Sequence, residues 1–199
     1  MHHTRAGLIL AYHGCDKSVA DKVIKNKGSL KASSNDYDWL GHGVYFWENS
    51  YSRALDYAHE LKTRKSSSIK TPAVIGAVID LGNCLNLLDF ENLKLVKETY
   101  ETLKELTNEF KLPLPQNTGG TDLLKRYLDC AVIEFLHNVR GGSDLQDFDS
   151  VKGMFSEGRE LYPKAGFRAK SHIQLCIKNP NCIKGYFDPR QPDKKYALV

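Results

Sequence analysis

Gly41-His42-Gly43-Val44-Tyr45-Phe46-Trp47 decides how this chain is read. Two glycines bracket a histidine and give way at once to β-branched and aromatic residues, the pattern of a turn feeding a strand over residues 44–47. Upstream lies a polar loop, residues 31–43, rich in Ser, Asn, Asp and Gly. It also carries Tyr37 and Trp39, large aromatics that a purely solvated loop does not need. Downstream, residues 50–61 place Ala54, Tyr57, Ala58 and Leu61 at helical spacing. Loop, strand and helix therefore follow one another, with functional side chains gathered where the strand begins.

Further out, residues 8–12 form a short apolar run broken by Gly14, the length and bounding of a buried strand that ends in a turn. A helix is predicted from Ser18, with Val19, Ala20, Val23 and Ile24 on one face and Gly28 as its stop. Residues 73–81 are nearly all apolar and read as a central strand. Residues 90–110 read as a charged amphipathic helix with Leu93, Val96, Tyr100, Leu103 and Leu106 inward, and residues 112–120 as a connector containing Pro113 and Pro115. Residues 122–139 are predicted to be the main scaffold helix, followed by a Gly/Asp loop at 140–149 and irregular chain over 154–167. Residues 171–178 alternate, with Ile173, Leu175 and Ile177 on one face and His172, Gln174 and Cys176 on the other, as in a half-buried strand. A turn at 179–181 would lead to a partner strand at 182–187.

With 199 residues, 41% of them hydrophobic, the chain is long enough for one domain with its own core, and too short for two large ones. Neither a membrane-crossing run nor a secretory signal is seen, so a cytoplasmic protein with no membrane association is expected. Five cysteines without a C-x-x-C pair suggest neither a disulfide ladder nor a zinc knuckle. No metal site is assigned; His2 and His3 adjoin only by the accident of the terminus. The net charge of +4 is uneven: residues 1–70 carry 11 Lys+Arg against 7 Asp+Glu, residues 71–150 carry 7 against 13, and residues 151–199 carry 10 against 4. Basic ends that met in the fold would suit a phosphate-bearing ligand or a nucleic acid. Walker A, G-x-G-x-x-G, H-E-x-x-H and G-x-S-x-G signatures are all missing, which argues against a Rossmann crevice.

Taken in order, Tyr12-His13-Gly14, Gly41 to Phe46, and Tyr57 on the following helix resemble the ADP-ribosyltransferases of the diphtheria-toxin and poly(ADP-ribose) polymerase type. That family reads His-Gly at the end of a first strand, Gly-x-Gly-[Ile/Val]-Tyr-Phe on a second and a Tyr on the next helix. The resemblance covers residues 8–60, is faint over 71–150 and returns at 171–187. It implies an α+β fold in which two small, mostly antiparallel sheets hold NAD between them, flanked by helices. The chain would be a single domain, 1–199, in which 71–150 supplies a strand and a mainly helical insertion.

The resemblance also implies roles. His13 would hydrogen-bond a ribose hydroxyl of the adenosine side, and the Gly14 backbone would hold the nicotinamide carboxamide. Tyr45 and Tyr57 would sandwich the nicotinamide ring, with Trp47 as a further wall. The 31–43 loop would lie over the dinucleotide, bringing Asn35 and Tyr37 to it. Cleavage of the nicotinamide–ribose bond develops oxocarbenium character, which such a site must orient and stabilise. Each residue also has a plainer reading: His13 as a strand-end histidine satisfied by its neighbours, Tyr45 as a β-former, Tyr57 as core.

The departure from the family is the third element. Many members begin the late strand with a glutamate, whereas here that strand offers Ser171, His172 and Gln174. Glu157, in the loop before it, is the first candidate for the missing carboxylate and Gln174 the second; Glu160 is the other nearby acid. The spacing from Tyr45 to Tyr57 is one residue longer than usual, which brings Ser52 and Arg53 into question beside Tyr57. The leading expectation is an NAD-dependent mono-ADP-ribosyltransferase, a toxin or defence effector, with NAD as substrate. Its acceptor would be macromolecular, nucleic acid favoured over protein by the charge, and a neutralising partner protein would be compatible with it. The alternatives are an inactive NAD or ADP-ribose binding module and an RNA-processing protein that uses His13, His172 and the basic ends and needs no NAD.

Overall fold

A computed structural model describes residues 7–26, 28–190, 195 and 196; His2 and His3 lie outside the described residues. The elements run β1 (Ile9–Asp16), α1 (Lys17–Lys25), β2 (Val44–Glu48), α2 (Tyr51–Lys62), β3 (Pro72–Ile79), β4 (Cys84–Asn86), α3 (Phe90–Glu109), α4 (Tyr127–Gly141), β5 (Ser150–Phe155), β6 (His172–Ile177) and β7 (Ile183–Phe187), with a turn of 3-10 helix at Pro180–Cys182. This is an α+β fold. Among the described residues, no helix is long and apolar enough to cross a membrane.

Instead of two sheets, the strands make one seven-stranded mixed sheet in the order β4-β5-β6-β2-β1-β3-β7. β4 and β5 run parallel, and the other neighbours are antiparallel. The sheet has a seam. β1 pairs with β3 along its whole length, from Ile9↔Ile79 to Asp16↔Pro72, but meets β2 only at Ala11↔Glu48 and Tyr12↔Trp47. Beyond those pairs the ladder between β1 and β2 stops, and the cleft described below lies where it stops.

Asp16 closes the end of β1 in two ways. Its carboxylate caps α1 by accepting from the Ser18 backbone N–H at 2.9 Å, and it accepts the Lys70 and Thr71 N–H groups at 2.8 Å each, tying the start of β3 to the end of β1. The Ser18 hydroxyl, donating at 2.6 Å, and then those backbone N–H groups hold its carboxyl below the ordinary range. α2 packs on β1, β2 and β3, while α1 packs on β1, β3 and β7. The main core joins Ala11, Phe46, Ile75, Ile79, Leu175 and Ile177 beneath α1. A second core sets Ile133 and Leu136 of α4 against Leu40, Leu85 and Val151.

Several expectations are corrected. β6 and the 182–187 strand are not partners: β6 lies between β5 and β2, and β7 pairs with β3 on the far side of the seam. β6 is covered on both faces, with Cys176 as buried as Leu175 and Ile177, because α4 and the 31–43 loop lie over the face expected to meet water. The scaffold helix starts at Tyr127, and residues 122–126 are loop, since Asn117 accepts the N–H groups of Leu128 and Asp129 at the helix start. α3 buries only Thr99 fully; Leu93, expected inward, is exposed. Residues 150–155, with no strand predicted, form β5. The five cysteines are free, four buried and Cys84 half-buried, and burial pushes their thiols up, Cys176 to about 12.

Candidate functional site

At the seam a cleft of about 430 Å³ opens between β1, β2 and β6, closed on its outer sides by α2 and the loops. That volume is within the ~300–1,000 Å³ typical of small-ligand sites. His13, Gly14, Asn35 and Tyr45 all line it, and so do Trp47, Tyr57, Glu157 and Gln174, so the fold brings these eight sequence-predicted site residues to one place, while Ser52 and Glu160 stay outside it.

His13 takes over the hydrogen bond that the interrupted ladder would have made. Its Nδ1 is 2.7 Å from the Tyr45 carbonyl, and because a carbonyl can only accept, Nδ1 carries the proton and Nε2 keeps its lone pair. Burial lowers the His13 pKa, which keeps the ring neutral. Gly14 answers to packing as well as to any ligand: a Cβ there would lie 2.0 Å from the Ala54 carbonyl oxygen of α2. The close approach that requires glycine is made by a helix.

Tyr45 braces the loop that covers the cleft. Its hydroxyl donates to the Gly41 carbonyl at 2.6 Å and accepts from the Leu40 N–H at 2.8 Å. Gly41 sits at φ 75°, a conformation that favours glycine, so the turn and the strand residue that locks it are both local features of the quoted segment. Burial drives the Tyr45 hydroxyl pKa well up. Asn35 folds back on its own loop, its amide donating to Ser33 and Asp38.

On the α2 side, Tyr57 leans on Trp47 with ring centroids 4.8 Å apart. Ser52 is exposed, whereas Arg53 is buried behind both rings, its guanidinium 5.8 Å from Trp47 and 5.9 Å from Tyr57. Arg53 reaches across the cleft to Glu157, with Nη2 and Oε2 3.1 Å apart. It also pairs with the exposed Asp56 at 3.3 Å and with Glu60 at 3.8 Å. Glu157 is thus a buried, charge-paired carboxylate, not a solvated loop acid, while Glu160 stays exposed and caps the Lys164 N–H.

β6 supplies the far wall. Gln174 sits between Trp47 of β2 and Gly153 of β5. His172, at the head of the strand and expected to be reactive only under the RNA-processing alternative, lines the same cleft, its Nδ1 3.9 Å from Glu157. The 31–43 loop adds Trp39, whose indole N–H donates to the Leu124 carbonyl at 3.0 Å and whose ring is covered by the Arg126 guanidinium at 4.3 Å.

The two basic ends do meet, since β1 and β7 flank β3. The cleft itself mixes signs: Arg53 and Arg64 face Asp38, Glu60 and Glu157. Among the described residues no group of three or more His, Cys, Asp or Glu is placed to hold a metal.

In comparisons with known proteins, the chain is 27% identical over 192 residues to an uncharacterized protein of Methanocaldococcus jannaschii, covering 87% of this chain and 83% of that one. No family model matches the chain. No solved structure matches it either.

Proposed function

We propose that this protein is an NAD-dependent mono-ADP-ribosyltransferase whose acceptor is a macromolecule, nucleic acid before protein. The observation that carries the reading is convergence: two neighbouring strands and the loop before β6 set His13, Tyr45 and Glu157 around one cleft. These residues come in the chain order of the resembling family, and Glu157 provides a carboxylate although the late strand holds none.

The residues fit the dinucleotide chemically. His13 Nε2 would accept a hydrogen bond from a ribose hydroxyl, because its other nitrogen is committed to the Tyr45 carbonyl. Tyr45, Tyr57 and Trp47 offer aromatic walls for the nicotinamide, and Arg64 adds a cation suited to a phosphate. Glu157 would face the ribose as positive charge develops at C1′, stabilising it where water is excluded. Its pairing with Arg53 fixes the carboxylate in place.

The same ion pair supports a second reading, a module that binds NAD or ADP-ribose without turnover, in which the carboxylate is neutralised for good. The two are separated by incubating adenine-labelled NAD with the protein and a cell lysate, then dividing protein from nucleic acid. Label in either fraction, lost in His13→Ala and in Glu157→Gln, is the expected result. NAD binding with no nicotinamide released would favour the module; retention of transfer in Glu157→Gln with loss in Gln174→Ala would move the third role to Gln174. RNA processing without added NAD, and no NAD binding, would sink both readings.

A further inference from the structure

We infer that His172 is the general base that takes the proton from the acceptor, and that the acceptor group is therefore a hydroxyl or an N–H, not a carboxylate. This rests on the transferase reading. His172 opens β6 opposite Phe155 of β5, and its side chain is only 2% exposed. Its Nδ1 is 2.6 Å from the Lys170 carbonyl, so that nitrogen carries the proton and Nε2 holds the lone pair. Nε2 is buried and has no hydrogen-bond partner among the described residues. The rings of Trp39, Trp47 and Phe155 enclose the imidazole, with centroids 6.2, 6.3 and 5.8 Å away.

A position that only packed would be better filled by phenylalanine or leucine, which leave no buried acceptor unmatched. The lone pair is meaningful because His172 lines the cleft together with His13 and Glu157. The charged groups facing it are Arg53 of α2, Glu157 of the preceding loop and Arg126 of the loop before α4. Burial, helped by the two arginines, lowers its pKa, leaving the neutral, proton-accepting form in place near neutral pH.

In the step proposed, the bond from ribose C1′ to the pyridinium nitrogen breaks and its electron pair leaves with neutral nicotinamide. A lone pair on the acceptor oxygen or nitrogen forms the new bond to C1′. The acceptor's proton passes to Nε2 and from there to water, with Glu157 at 3.9 Å favouring the transient imidazolium. A carboxylate acceptor has no proton to give up, and beside it the base would have no task.

The test measures two products from adenine-labelled NAD in a cell lysate: acid-precipitable label and free nicotinamide. In His172→Gln the label transferred per nicotinamide released is expected to fall about 100-fold, the range of general-base effects. An unchanged ratio in a folded His172→Gln protein overturns the inference. If that variant does not fold, the wild-type pH profile decides. The ratio should fall on an acid limb below the ordinary histidine value of 6.5, and a flat ratio through that region overturns the inference. Label stable to neutral hydroxylamine supports an O–H or N–H acceptor, and label released by it shows an ester on a carboxylate and overturns the inference. If the wild type releases no nicotinamide at all, the transferase reading itself has failed and the inference falls with it, a result distinct from an unchanged ratio.

Discussion

The two walls of the cleft are finished differently. On the β1–β2 wall most polar groups close on one another: His13 donates to the Tyr45 carbonyl, and the Tyr45 hydroxyl both donates and accepts within the Leu40–Gly41 turn, which leaves the Trp47 indole N–H as the buried group without a partner. On the opposite wall His172 Nε2 is buried without a partner, as is Nε of Arg53, which reaches over from α2 to donate to the Glu157 carboxylate at 3.1 Å. Buried polar groups in folded proteins are nearly always paired, so the wall whose open group is a proton acceptor beside a carboxylate is the one built to be completed by something else. The first wall is scaffold that also offers one lone pair; the second carries the reactive groups.

The sharpest way to break this contrast is Arg53→Ala. It strands the Glu157 carboxylate in a buried site, and removing one partner of such a pair costs about 3–5 kcal/mol; urea unfolding should show the loss, and nicotinamide release should fall with it. A variant that keeps full stability would mean the pair is effectively solvated.

Gly14→Ala attacks the scaffold wall. Its new Cβ would meet the Ala54 backbone carbonyl, which cannot yield as a flexible side chain would, so a destabilisation of about 3 kcal/mol is expected, at the upper end for overpacking. If stability is unchanged but NAD binding is lost, the glycine serves the ligand and not the helix. Tyr45→Phe removes one hydroxyl from a closed circuit and leaves the Leu40 N–H and the Gly41 carbonyl without it, at about 1–3 kcal/mol by thermal unfolding.

The smallest effect is the pH dependence. Burial lowers the pKa of His13, His137 and His172 in the folded protein, so the unfolded chain takes up protons first as the pH falls through 6.5. Stability supplied by these neutral rings is present above 6.5 and is lost below it. The melting temperature should drop on going from about pH 7.5 to about pH 5.5, and less so in His172→Phe. A melting temperature that rises over the same interval would contradict the burial of these rings.

Hydrophobic period and turn chemistry were enough to read β1, α1, β2, α2 and β3 from the chain, and the family resemblance over residues 8–60 was what put His13, Tyr45 and Tyr57 at one site. β5 escaped because Lys152 and Gly153 interrupt its alternation, and Lys152 is tolerated there only through its ion pair with Glu48 of β2, 104 residues away. The 182–187 strand was visible as a strand, but a two-residue period carries no record of which edge it joins. Glu157 was visible as an acid beside a glycine, yet its burial depends on Arg53 arriving from another element.

What this sequence determined alone is therefore local: most of the strand and helix segments, the strand that carries His13-Gly14, and the aromatics that stand in and beside the next strand. Only the tertiary structure decided that β6 inserts beside β2 while β7 crosses to β3, that the seam between β1 and β2 opens into a cleft, and that Arg53, Glu157 and His172 meet there. The physical reason is that propensity and period act over a few residues, whereas partner choice and the burial of charge are settled by contacts between residues more than 100 positions apart.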